Sequence, residues 1–116
     1  MANYKYDLIL FGATSFVGVI LSRYLVSQTN FKVNFKWALA GRSQHKLKQL
    51  QVSLGATFET LPFVIADSDD IESLRNLCSL TRLIVSTVGP YALYGENLVA
   101  TCAETGTDYC DITGEV

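Results

Sequence analysis

The chain has 116 residues, 49% of them hydrophobic, only two prolines and a formal net charge of −2. This composition fits one compact domain that buries about two-thirds of its unfolded surface, and it excludes a disordered chain. The longest apolar runs, residues 8–11 and 16–21, fall far short of the roughly 20 residues of a membrane span, and the polar start at residues 1–7 lacks the layout of a signal peptide.

Strand and helix patterns alternate along the chain, with no repeat or low-complexity linker. A first strand is expected over residues 6–11, followed by a small-residue turn and a helix over 15–26. Phe16, Ile20 and Tyr24, with Val17, Leu21 and Leu25, are spaced to cover one face of that helix. A second strand over 35–40 meets the polar turn Gly41-Arg42-Ser43, where Ser43 is a suitable N-cap for a helix bearing Leu47, Leu50 and Leu54. The third strand, 61–66, leads to a short helix carrying Ile71, Leu74 and Leu77. Ser68 or Asp69 is expected to cap it, with Asp70 and Glu72 at its positive end. Strand four, 82–87, is stopped by Pro90; a helix over 96–104 ends at Gly106 and leads to strand five, 108–112. Short apolar strands separated by helices imply an α/β fold of Rossmann type, a doubly wound parallel sheet in order 3-2-1-4-5 with helices on both faces.

The segment Tyr-Asp-Leu-Ile-Leu-Phe-Gly-Ala-Thr-Ser-Phe-Val-Gly, residues 6–18, has the layout of a dinucleotide cradle. A strand, a turn and a helix in that order bring backbone N–H groups and the positive helix end to a pyrophosphate. Gly12 is placed for the tight turn and Gly18 for close packing of the helix. Ser15 stands where a three-glycine spacing has a glycine, so Ser15→Gly is expected to leave binding unchanged or to tighten it. At the end of strand two, an acid normally accepts the ribose 2′-hydroxyl of NAD. No Asp or Glu occurs between residues 8 and 58; Arg42 and Ser43 stand at that position, with Lys46 one turn on. These donors suit a 2′-phosphate and favour NADP(H), leaving NAD(H) as the weaker alternative.

Charge is unevenly divided, with seven Lys/Arg against one acid in residues 1–58 and two against ten in residues 59–116. The cations are dispersed and not interleaved with stacking aromatics, so nucleic acid is not an expected partner. Three cysteines, Cys78, Cys102 and Cys110, form no C-x-x-C pair. They argue against a disulfide framework or a zinc site and for a reducing, cytoplasmic location. Cys110 is expected to be a buried small residue, and His45 to be solvated on the exposed side of a helix start. The pair Asp69/Asp70 reads as a helix start, whereas Asp108/Asp111 is a candidate for the crevice.

Four stretches carry a resemblance: Gly-Ala-Thr-Ser-Phe-Val-Gly (12–18), Trp-Ala-Leu-Ala-Gly-Arg-Ser (37–43), Val-Ser-Thr-Val-Gly-Pro-Tyr-Ala-Leu-Tyr-Gly (85–95) and Asp-Tyr-Cys-Asp-Ile-Thr-Gly-Glu (108–115). With them the chain resembles the N-terminal nucleotide-binding domain of saccharopine dehydrogenase-like oxidoreductases, a family that includes trans-acting enoyl reductases. The resemblance implies that Thr14, Ser15, Phe16 and Val17 lie along the pyrophosphate and Arg42 and Ser43 at the 2′-phosphate. It also implies Asp67 near the adenine, and Thr87, Gly89 and Pro90 beside the nicotinamide end. It further implies that residues 1–116 are one dinucleotide-binding domain of a longer enzyme. A second domain would then shape the pocket for a small-molecule substrate, and hydride would pass between NADPH and a C=N, C=C or C=O group. The catalytic residues are not legible, although Tyr91 and Tyr94 fall near the nicotinamide end. On this reading the isolated chain self-associates and turns over no substrate. The alternative is a non-catalytic dinucleotide sensor or interaction module on the same fold.

Overall fold

The computed structural model describes residues 4–29, 36–55, 61–87 and 95–111. Their elements follow the order β1 (Tyr6–Phe11), α1 (Phe16–Thr29), β2 (Trp37–Gly41), α2 (Gln44–Ser53), β3 (Phe63–Ile65), α3 (Ile71–Ser79), β4 (Thr81–Ser86), α4 (Gly95–Thr105) and β5 (Asp108–Asp111). The strands form one parallel sheet in the order β3-β2-β1-β4-β5, as the alternation of elements requires. In the register of the central strands, Ile9 lies opposite both Ala38 and Ile84, and Leu10 opposite both Leu39 and Val85.

Each strand alternates its side chains between two cores. On one face Leu10, Leu39 and Val85 pack with Leu47 and Leu50 of α2 and with Val19, Leu25 and Val26 of α1. On the other Ile9, Phe11, Ala38, Ala40 and Ile84 pack with Leu74 and Leu77 of α3 and Leu98 of α4. All four helices start near the carboxyl ends of the strands. The order reverses between β1 and β4, and this opens the crevice in which the site lies.

The sequence-derived face of α1 is corrected by the structure. Phe16, Ile20 and Tyr24 are 82%, 54% and 58% exposed, while Gly18 and Ser22 are buried against the sheet side and Leu21 and Leu25 are half-buried. The helix is apolar nearly all round, so hydrophobic spacing alone selects no inner face. Its smallest residues decide, because they allow the closest approach to the β1–α1 turn. Strand ends shift by one or two residues from expectation, with β3 shortest at Phe63–Ile65. The cap of α3 is Asp70, not Ser68 or Asp69; its Oδ1 accepts from the Glu72 and Ser73 N–H groups at 3.1 and 3.4 Å.

Candidate functional site: a crevice at the ends of β1, β2, β3 and β4

The turn after β1 is held from three sides. Gly12 has φ +80°, a left-handed conformation that strains any residue with a Cβ. Its N–H and that of Ala13 both donate to the Ala40 carbonyl, at 3.0 and 3.1 Å, which ties the turn to β2. The Ser15 hydroxyl accepts from the Gly18 N–H at 3.0 Å, so Ser15 caps α1, and it donates to Thr87 Oγ1 at 3.0 Å. Thr87 Oγ1 in turn donates to the Gly12 carbonyl at 3.0 Å, and the Thr87 N–H to the Phe11 carbonyl at 3.1 Å. A hydroxyl chain thus latches the turn to the end of β4.

Gly18 sits directly beneath this turn. A Cβ there would overlap the Gly12 carbonyl oxygen and lie 2.6 Å from that of Ala13. Thr14 and Ser15, immediately before α1, line the crevice. The N–H groups of Thr14, Phe16 and Val17 donate to no described residue. Unspent donors at a positive helix end are the physical requirement for an anion site.

A second helix start faces the same space. The Ser43 hydroxyl accepts from the Lys46 N–H at 3.2 Å and caps α2, as the sequence predicted. Arg42 and Lys46, both exposed, stand on either side of it. Ala66, Asp67 and Ser68, which follow β3, also line this space. There the Asp67 carboxylate accepts from the Asp69 N–H at 3.0 Å, the Asp67 N–H donates to Ser73 Oγ at 3.0 Å, and Asn97 Nδ2 donates to the Ser68 carbonyl at 2.8 Å.

These parts enclose an open crevice of about 490 Å³. Gly12, Thr14, Ser15, Arg42, Ser43, Asp67 and Thr87 all line it, so the structure brings together most of the residues that sequence reasoning placed at a cofactor. Phe16 and Val17 turn their side chains to solvent and, like Gly18, do not line the crevice. Gly89, Pro90, Tyr91 and Tyr94 lie outside the described residues, as does the side chain of Asp111. His45 is exposed at the start of α2, as expected. Cys110 is exposed on β5 and not buried, because the α1/α2 side of that edge strand carries no described helix. Asp108 is exposed at the start of β5, at the end of the sheet away from the crevice. Asn97 and Ser68 were not singled out from the sequence. Their contact joins positions 29 apart and leaves no local pattern.

The donor set fits a dinucleotide carrying a third phosphate. It offers neutral N–H donors in the middle, and a guanidinium, an ammonium and a helix start at one end. No carboxylate stands at the end of β2 to accept a ribose 2′-hydroxyl. Among the described residues no cluster of His, Cys, Asp or Glu could hold a metal ion. No helix among them is long and apolar enough to cross a membrane.

The sequence matches the saccharopine dehydrogenase NADP binding domain family over residues 8–115. The chain belongs to that family. It is 38% identical over 115 residues to a trans-acting enoyl reductase of Mycobacterium ulcerans, an alignment covering 99% of this chain and 27% of the relative. A putative trans-acting enoyl reductase of Mycobacterium tuberculosis is 40% identical over 111 residues, 96% of this chain and 26% of its own length. The chain therefore spans about a quarter of these relatives. Among solved structures, apo saccharopine dehydrogenase (L-Glu forming) from Saccharomyces cerevisiae superposes with a TM-score of 0.70 at 15% identity, over 96% of this chain and 22% of that one. At that identity the likeness concerns the fold alone.

Proposed function

We propose that this saccharopine dehydrogenase-like domain holds NADP(H) along the crevice. The pyrophosphate is received by the N–H groups of Thr14, Phe16 and Val17 and by the end of α1. Ser15 caps that helix and, through Thr87, fixes the turn. Arg42, Ser43 and Lys46 receive the 2′-phosphate, Asp67 borders the adenine, and the nicotinamide lies beyond Thr87 toward Gly89 and Pro90. One observation carries the reading: the residues leading into α1, Thr14 and Ser15, and the acid-free cationic strand end at Arg42, Ser43 and Lys46 line one crevice, with the Thr14, Phe16 and Val17 N–H groups unspent beside it.

When bound, the cofactor supplies a hydride, and the protein supplies orientation. The work of residues 1–116, taken as one domain, is to pin both phosphate groups so that the ring end is held at the end of β4. The full enzyme would deliver hydride to a C=N, C=C or C=O group, with the rest of its chain positioning a small-molecule substrate. The names of the relatives favour C=C. The location is a reducing compartment, the cytoplasm.

By itself the 116-residue chain turns over no substrate and self-associates. The exposed Phe16, Ile20 and Tyr24 stripe and the edge strands β3 and β5 support this. A strict monomer in light scattering at high concentration would contradict self-association. The cofactor reading is tested by calorimetric titration with NADPH and NADH: NADPH binds, and NADH binds at least about tenfold more weakly. Equal affinities would overturn it.

A further inference from the structure

On the face of the sheet away from α1 and α2, the last turn of α3 meets α4 through two thiols. Cys78 Sγ and Cys102 Sγ are 3.7 Å apart and both residues are 1% exposed. Hydroxyls surround the pair. Thr107 Oγ1 donates to the Cys78 carbonyl at 3.1 Å and lies 2.8 Å from Thr105 Oγ1. Hydrogen bonding between the two sulfurs, in which either can donate, draws the Cys78 thiol below its ordinary pKa, helped by the Thr105 and Thr107 hydroxyls and opposed by burial. Cys102 is pushed the other way by the same hydrogen bond and by burial. At 3.7 Å the two sulfurs can share one proton, so loss of the other leaves a thiolate hydrogen-bonded to the remaining thiol.

We propose that Cys78 and Cys102 are a redox-active dithiol that low-molecular-weight disulfides convert into a disulfide joining α3 to α4. Both sulfurs are buried, so exchange takes place on local opening of the α3–α4 contact: the Cys78 thiolate attacks one sulfur of RSSR, forming Cys78–S–S–R and releasing RS⁻. The Cys102 sulfur then attacks the Cys78 sulfur and expels the second R group as RSH, which carries away the Cys102 proton. The protein loses two electrons and RSSR is reduced to two thiols. A disulfide is about 2.05 Å long, so the sulfurs must close by about 1.7 Å for the bond to form. In a reducing compartment such a pair is reduced at rest and oxidised transiently.

Its consequence reaches the crevice wall through both helices. Asp70 begins α3 directly after segment 66–69, and Asn97 of α4 holds the Ser68 carbonyl. The chemistry itself is independent of the cofactor reading. Cys110, exposed on β5 and apart from the pair, can form its own adduct with the disulfide, so the test removes it by substitution.

The test is incubation of the folded 116-residue chain, as wild type and as Cys110→Ser, with oxidised glutathione, followed by acid quench, alkylation and peptide mass spectrometry. The expected product has lost two hydrogens, with Cys78 and Cys102 protected from alkylation and joined in one cross-linked peptide. Its melting temperature is several degrees higher, and dithiothreitol reverses the shift. In Cys102→Ala/Cys110→Ser the reaction stops at a glutathione adduct on Cys78. Alkylation of both Cys78 and Cys102 after oxidation, or a lasting adduct on Cys78 beside a free Cys102 in the Cys110→Ser protein, would overturn the proposal.

Discussion

Arg42→Ala is the sharpest probe of cofactor choice. Arg42 follows β2, lines the crevice beside the capped start of α2 and is exposed. Hydrogen bonds to a charged group are worth roughly 1.5–3 kcal/mol, and solvent exposure places this one at the lower end. A loss of about 1.5–2 kcal/mol corresponds to a roughly tenfold to thirtyfold weaker NADPH affinity. Lys46 and the α2 N–H groups remain, so binding weakens and is not abolished. NADH has no 2′-phosphate, and its affinity should change by less than about twofold. Arg42→Lys should fall between, since it keeps the charge and loses the planar fork. Raising ionic strength should shrink the NADPH difference, because the Debye length falls from about 10 Å at 0.1 M salt to about 3 Å at 1 M. Isothermal titration of both cofactors against the three proteins at two salt concentrations reads every term. An equal loss for NADPH and NADH would refute the reasoning, because Arg42 would then act on a part common to both.

Gly18→Ala should destabilise the fold although alanine is the better helix former by about 1 kcal/mol. The added Cβ meets the Gly12 and Ala13 carbonyls, backbone atoms that cannot give way, which places the cost at the upper end of the range of about 1–3 kcal/mol for overpacking; the net loss of about 2 kcal/mol should lower the melting temperature in thermal unfolding by about 4–8 °C. A rise would mean that the turn is not packed on α1. Ser15→Ala removes the cap of α1 and the link to Thr87, for a loss of about 1 kcal/mol in denaturant unfolding. Ser15→Gly should cost only a few tenths and leave NADPH affinity unchanged or higher, whereas a clear loss of affinity would make the hydroxyl itself a ligand.

Much of the fold was legible locally. The alternation of short apolar strands with helices, the Gly12 turn and the Ser43 cap depend on residues within one or two turns of each other. Such periods and caps follow from backbone geometry wherever the segment lies. Sheet order came from the same reading, because parallel strands with right-handed helical crossovers admit few arrangements. The acid-free stretch before Phe58 was likewise plain in the sequence, and it located the cationic end of the crevice at Arg42.

What the tertiary structure alone decided were choices between equals and contacts between distant positions. Nothing local distinguishes the Phe16, Ile20 and Tyr24 side of α1 from the Val19, Leu25 and Val26 side, both apolar. The fit of Gly18 under the turn settled which faced inward. Ser15 looked like a weakened glycine until Thr87, 72 residues away, was found to complete its hydrogen bonds. Asn97 gained its role from the Ser68 carbonyl, and Cys78 its sulfur neighbour from Cys102, 24 positions on. Each of these depends on where the packed sheet sets two helices or a strand end side by side, and one-dimensional periodicity carries no record of that.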